Sequence, residues 1–231
     1  MTTIELFDRA ESFGDAEAIL CGPRSHSFSD LLASSAAVAA ALLGEADDLG
    51  EARIAFFVPA GFEYVAVQWG VWRAGGIAVP LNVLAAEPEI EHVLDDAEVS
   101  VLVVSRSLRD RVEGLCRKLG IEMLEVEDAL AVEPRTLPAL SLDRRAMMLY
   151  TSGTTSRPKG VVTTHANNQA QVKSLVEAWG WRSDDRIPLF LPLHHVHGII
   201  NVLTCGLWSG ATVDVFESFD IDRILGRVAN G

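Results

Sequence analysis

Leu149-Tyr150-Thr151-Ser152-Gly153-Thr154-Thr155-Ser156-Arg157-Pro158-Lys159-Gly160-Val161 is the stretch on which the reading of this chain turns. β-favouring residues enter it from Ala146, and Val161, Val162 and Thr163 leave it, so a strand on each side brackets an unbroken Thr/Ser/Gly string. Glycine lets the backbone take positive φ and approach a ligand closely. Successive N–H groups in such a turn form an anion-binding nest. The hydroxyls of Thr151, Ser152, Thr154 and Thr155 add donors, and Lys159 adds a mobile cation. Together these suit a polyphosphate. A plain surface turn rich in Ser and Thr is the competing reading, which the ordered string through Pro158-Lys159 disfavours. A Walker A loop is a near miss. Counted from Gly153, Lys159 falls at the Walker lysine, but Pro158 stands for the required Gly and Gly160 for the required Ser/Thr. A β-rich run also follows where a Walker loop opens a helix.

Outward from this loop, short β-rich runs alternate with helical runs, which predicts an α/β fold of layered parallel sheets flanked by helices. Helices are expected from Ser29 or Asp30 to Leu43, Phe62 to Arg73, Glu87 to Ala97, Leu108 to Leu119, Asn167 to Trp179 and Ile199 to Trp208. Strands are expected at Arg53–Pro59, Ile77–Pro80, Val99–Val104, Ile121–Val126, Ala146–Tyr150, Gly160–Thr163, Arg186–Leu191 and Ala211–Phe216. Residues 132–142 hold two prolines and no clean period, so a linking loop and a subdomain junction are expected there. A last helix begins near Asp220, and the chain stops at Asn230-Gly231 with no finished element. The expectation is a partial domain, residues 1–231, on which the rest of the same polypeptide packs.

Nineteen Lys and Arg face 32 Asp and Glu, a net charge of −13, which disfavours a broad nucleic-acid footprint. It leaves room for a local basic pocket. Cys21, Cys116 and Cys205 are sparse and in no metal-ligand spacing, as in a reduced intracellular protein. No apolar run reaches the ~18 residues of a membrane span, and the start carries acids rather than a signal-peptide core. A cytoplasmic protein with no membrane and no nucleic-acid partner is expected.

The second chemical signal is Leu191-Pro192-Leu193-His194-His195-Val196-His197-Gly198. Three histidines raise the question of a metal site, but no Cys, Asp or Glu adjoins them and Pro192 points to a turn rather than a ligand helix. A structural turn and a substrate pocket are the other readings. Imidazoles donate hydrogen bonds, and protonated ones add charge assistance.

Tyr150 to Gly160, with its Thr-Ser-Gly-Thr-Thr and Pro-Lys-Gly elements, resembles the signature of the AMP-forming acyl-CoA synthetases and related adenylate-forming enzymes. The resemblance covers essentially the whole chain but only the first part of the family pattern, the N-terminal half of its large domain. It implies nucleotide-phosphate contacts at Thr151, Ser152, Gly153, Thr154, Thr155 and Lys159, with Thr151 also a Mg2+ contact. It implies a catalytic role for His195 beside the reacting carboxylate, with His194 and His197 in the acyl pocket. Ser156 stands where the family usually has Gly, which implies a stiffer loop. His197 before Gly198 and the continuation Ile199 to Gly210 look like the malonyl-CoA synthetase branch. The implied substrates are ATP, coenzyme A and a small carboxylic acid, malonate or methylmalonate, with Mg2+ as cofactor. The elements for adenine, ribose and the catalytic lysine are absent, so the 231 residues alone are expected to be inactive. A ligase for another small or aromatic acid, and a non-catalytic nucleotide-binding module, are the alternatives.

Overall fold

A computed structural model describes residues 4–151, 157–216 and 219–230. Its centre is a six-stranded sheet built on β3 (Arg53–Phe57), β4 (Ile77–Pro80), β5 (Val101–Val104), β6 (Glu122–Glu125), β7 (Arg145–Thr151) and β8 (Lys159–Thr164). The order is β6-β5-β3-β4-β7-β8. Pairing is parallel up to β7, and β8 turns back antiparallel at the edge. Ile54, Ala55, Phe56 and Phe57 are wholly buried, as a central parallel strand covered on both faces requires.

A smaller sheet has the order β2-β1-β10-β9, from β1 (Glu17–Cys21), β2 (Arg24–Ser27), β9 (Arg186–Leu189) and β10 (Thr212–Val215). β1 lies parallel to β10 through Ile19↔Val213, so the first strand and the last are neighbours. Each sheet therefore draws strands from both sides of residues 132–142, which carry no helix or strand.

Helix α2 (Phe28–Leu43) starts on a capping box: Asp30 N–H donates to the Ser27 hydroxyl at 3.0 Å, and Ser27 N–H donates to the Asp30 carboxylate at 2.9 Å. The cap is thus Ser27 rather than Ser29 or Asp30, because Asp30 acts as the third-residue partner. Helix α3 (Phe62–Arg73) is buried along ten of its twelve residues. It lies close against α2 at Gly70, where a Cβ would come within 2.6 Å of Val38 Cγ1. Its Trp72 Nε1 donates to Ala146 O at 2.7 Å, and its Tyr64 hydroxyl donates to Leu193 O. One rigid helix thereby holds both the root of β7 and the histidine turn.

The remaining helices are α1 (Glu5–Phe13), α4 (Glu87–Asp96), α5 (Glu113–Leu119), α6 (Val126–Ala129), α7 (His165–Trp179), α8 (Cys205–Ser209) and α9 (Ile221–Asn230). The expected helix over 108–119 divides: a 3-10 stretch, Arg106–Arg111, precedes α5, and Val112 at φ −125° breaks the turn between them. The expected helix from Ile199 begins earlier, at His197, as a wide π-helical segment, His197–Thr204, before α8. Among the described residues no helix is long and apolar enough to cross a membrane.

Candidate active site

The loop that dominates the sequence joins β7 to β8. Tyr150 pairs with Gly160 and Thr151 with Lys159 across the antiparallel ladder. A hydroxyl and an ammonium therefore stand opposite each other, both exposed, where the two strands open. Ser152, Gly153, Thr154, Thr155 and Ser156 lie outside the described residues. Gly160 has a steric reason: a Cβ there would come within 2.9 Å of Met148 Sδ and 3.2 Å of Tyr150 Cζ, so its absence leaves room for the tyrosine ring. Because a strand and not a helix follows Lys159, the loop is no Walker loop.

Two side chains of α4 meet the ends of this loop. Tyr150 hydroxyl donates to Asp96 Oδ2 at 2.6 Å, and His92 Nε2 lies 2.9 Å from Pro158 O. A carbonyl can only accept, so His92 carries its proton on Nε2 here. The His92 and Tyr150 rings meet edge to face with centroids 6.0 Å apart. Burial, and then the bond to Asp96, push the Tyr150 hydroxyl well above its ordinary pKa, so it stays a donor.

The histidine turn follows β9. It folds back so tightly at Gly198 that a Cβ would lie 2.5 Å from Pro192 O. Ile199 N–H donates to His195 O at 3.1 Å, a bond of α-helical spacing, and at the end of the π segment the Thr204 hydroxyl donates to Ile199 O, five residues back, at 2.7 Å. Buried Leu193 fixes the turn from below, its carbonyl accepting from Tyr64.

His194, half-buried, lines a small cleft with Pro80, Leu81, Asn82, Ile90 and Tyr150. Tyr150, the neighbour of Thr151, and one of the three histidines thus face the same space. His195 and His197 are exposed and do not line that cleft, although the His195 ring sits 4.2 Å from that of His194. Burial, helped by the charge of His195, lowers the His194 pKa to about 4. His194 is therefore neutral near pH 7 and offers hydrogen bonds, not charge. Asn82 closes a local turn by accepting from Leu84 N–H at 3.0 Å, and also lines the cleft. His92, Asp96 and Asn82 were not singled out from the sequence as site residues. The four-residue spacing of His92 and Asp96 on one helix face is the signal that finds the first two.

The AMP-binding enzyme family model matches residues 6–229. The mitochondrial malonate–CoA ligase of Homo sapiens is 37% identical over 230 residues, covering 95% of this chain and 40% of that protein. The malonate–CoA ligase of Arabidopsis thaliana is 30% identical, covering 96% of this chain and 41% of that protein. Among solved structures, ATP-bound MatB from Rhodopseudomonas palustris superposes with a TM-score of 0.89 at 27% identity, over 100% of this chain and 48% of that one. The AMP complex of o-succinylbenzoate coenzyme A synthetase from Bacillus subtilis gives 0.87 at 25% identity, over 99% and 47%. The chain spans about 40% of the length of the curated relatives it matches.

Proposed function

The chain belongs to the AMP-binding enzyme family, and from that premise we propose that it supplies the phosphate-loop half of a ligase that activates a small carboxylic acid, malonate or methylmalonate, with ATP and passes it to coenzyme A. The observation that carries the reading is the shared cleft: Tyr150, at the mouth of the phosphate loop, and His194, in the histidine turn, line one space. A nucleotide triphosphate on one side and an acyl group on the other need such an arrangement.

In the first step a carboxylate oxygen attacks the α-phosphorus of ATP, and the bond to pyrophosphate breaks. In the second the coenzyme A thiol attacks the acyl carbonyl, AMP leaves, and the thiol proton passes to solvent. Charge stabilisation and positioning do most of the work in such transfers. Lys159 neutralises the departing pyrophosphate, and the hydroxyls and amides of Thr151 to Thr155 hold its oxygens. Mg2+ supplies further charge when bound, and Thr151, an exposed neutral oxygen ligand at the strand end, is of the kind a hard cation takes. His195 orients the reacting carboxylate, while neutral His194, with His197 beyond the cleft, offers the polar surface a dicarboxylate needs.

The rest of the polypeptide packs on this chain and brings the adenine, ribose and lysine elements. Phe219, Ile221 and Leu225 expose apolar side chains within a few residues of one another, which favours a covering partner. The reaction is proposed for an aqueous compartment, the cytoplasm in the first instance. The test is pyrophosphate release by a polypeptide that continues past residue 231, followed by mass analysis of the thioester. Release driven by malonate and formation of malonyl-CoA are expected. Release driven only by an aromatic acid supports the alternative ligase, and none with any acid supports a binding module. The 231 residues alone are expected to release no pyrophosphate.

A further inference from the structure

Helix α4 lies outside the loop motif, yet it bonds to both ends of the loop. Asp96 accepts from the Tyr150 hydroxyl at 2.6 Å where the chain enters, and His92 meets Pro158 O at 2.9 Å where it leaves. The two side chains are one helical turn apart, so they share a face. Tyr150 and Pro158 flank the Thr151–Lys159 pair, the last described rung of the ladder. The opposite face of α4 is fixed by buried Ile90, Val93 and Leu94, so the helix is a firm support. Neither bond is required to form the strands, since β7 and β8 pair through their own backbones.

We propose that Asp96 and His92 are positioning residues for phosphate transfer: acting from α4, they hold Thr151 and Lys159 at the separation and tilt that a polyphosphate needs. This rests on the reading of the loop as the ATP site. Neither residue touches the nucleotide; each acts through its partner. The hydrogen bond to the carboxylate is charge-assisted, the stronger kind, and in the other His92 Nε2–H donates to the Pro158 carbonyl beside the strand start.

The experiment has two arms. In the polypeptide that continues past residue 231, Asp96→Ala and His92→Ala should each raise the KM for ATP about tenfold, the size expected for losing one such bond. The KM for the carboxylic acid and the melting temperature should stay close to wild type. Asp96→Asn, which keeps an acceptor, and His92→Gln, which keeps a donor, should restore most of the affinity. Asp96→Ala combined with Tyr150→Phe should cost no more than Tyr150→Phe alone, because the pair acts as a unit. In the 231-residue chain, hydrogen exchange at the amides of 149–151 and 159–161 should quicken in both alanine variants, with β3 and β5 unaffected. An unchanged KM for ATP in both alanine variants, or effects that multiply in the double variant, overturns the proposal. Faster exchange at those amides without any acid-driven pyrophosphate release leaves the positioning role standing and removes the ligase reading. Acid-driven release with unaltered exchange and KM does the reverse.

Discussion

One buried imidazole should make this protein less stable as the pH falls from ~7 toward ~4. His165, the first residue of α7, is 4% exposed and lies edge-on to Trp72 with ring centroids 5.9 Å apart. Burial, with a smaller push from the Arg144 guanidinium, lowers its pKa from 6.5 to about 4. The folded value is below the unfolded one, so the folded state takes up the proton less readily. Stability is then full above the unfolded pKa near 6.5 and falls as pH drops toward 4. The difference of roughly 2.5 pH units amounts to at most ~3 kcal/mol at the acid end, and to ~2 kcal/mol by pH 5. For a chain of this size that is a fall of roughly 4–8 °C in melting temperature. The assay is thermal melting from pH 7.5 to 5 for wild type and His165→Gln, whose neutral amide does not titrate. Groups common to both proteins, His194 among them, cancel in the comparison. The wild-type curve should fall about 2 kcal/mol further than the variant's. Parallel curves would mean that His165 titrates freely in the folded state, and the burial argument would fail.

Three further outcomes follow from the site. Lys159→Ala, at an exposed position, should leave the melting temperature nearly unchanged and slow pyrophosphate release by the longer polypeptide tenfold or more. Gly198→Ala places a methyl group 2.5 Å from Pro192 O, a backbone atom that cannot swing aside. Melting should detect about 1–3 kcal/mol of destabilisation, as for overpacking elsewhere. His194→Phe removes a polar group from the cleft, whereas His197→Phe changes an exposed side chain outside it. The malonate-over-butyrate ratio of kcat/KM should therefore drop roughly ten- to a hundredfold for the first and much less for the second.

Much of the architecture is legible because its punctuation is local. Gly61 and the Gly75-Gly76 pair bracket α3, and its bounds, Phe62–Arg73, are those read from the sequence. The same holds for β4, bounded by Gly76 and ended by Pro80. The first 27 residues carry no helix or strand in the reading from sequence. Yet they form α1 and the β1–β2 hairpin around Gly22-Pro23. The parallel partner of β1 is β10, almost the whole chain away, and no local pattern announces such a neighbour. The histidine turn was legible as a turn, but not which imidazole faces the cleft. That depends on Tyr64 gripping Leu193 O and on the close approach at Gly198, both consequences of distant packing. The spacing of His92 and Asp96 marks a shared helix face, but not what that face meets, since the partner of Asp96 lies 54 positions on.

The helix that ties the site together also carries a defect whose replacement is informative. Tyr64, Gln68 and Trp72 succeed one another at four-residue intervals on α3, so they share a face. The outer two hold the histidine turn and the root of β7. Gln68, between them, is 0% exposed, and neither its amide oxygen nor its nitrogen has a hydrogen-bond partner among the described residues. An unpaired buried polar group costs about 1–3 kcal/mol, whereas an apolar side chain of similar shape carries no such penalty. Methionine matches glutamine in length and adapts to irregular packing. Gln68→Met should therefore raise stability by about 1–3 kcal/mol, or several degrees in melting temperature. If the amide serves the reaction, the gain in stability will come with lower turnover, the usual exchange at a functional site. A fall in melting temperature of the same size would mean that Gln68 is paired in the folded protein, and that α3 grips its surroundings at three points on this face rather than two.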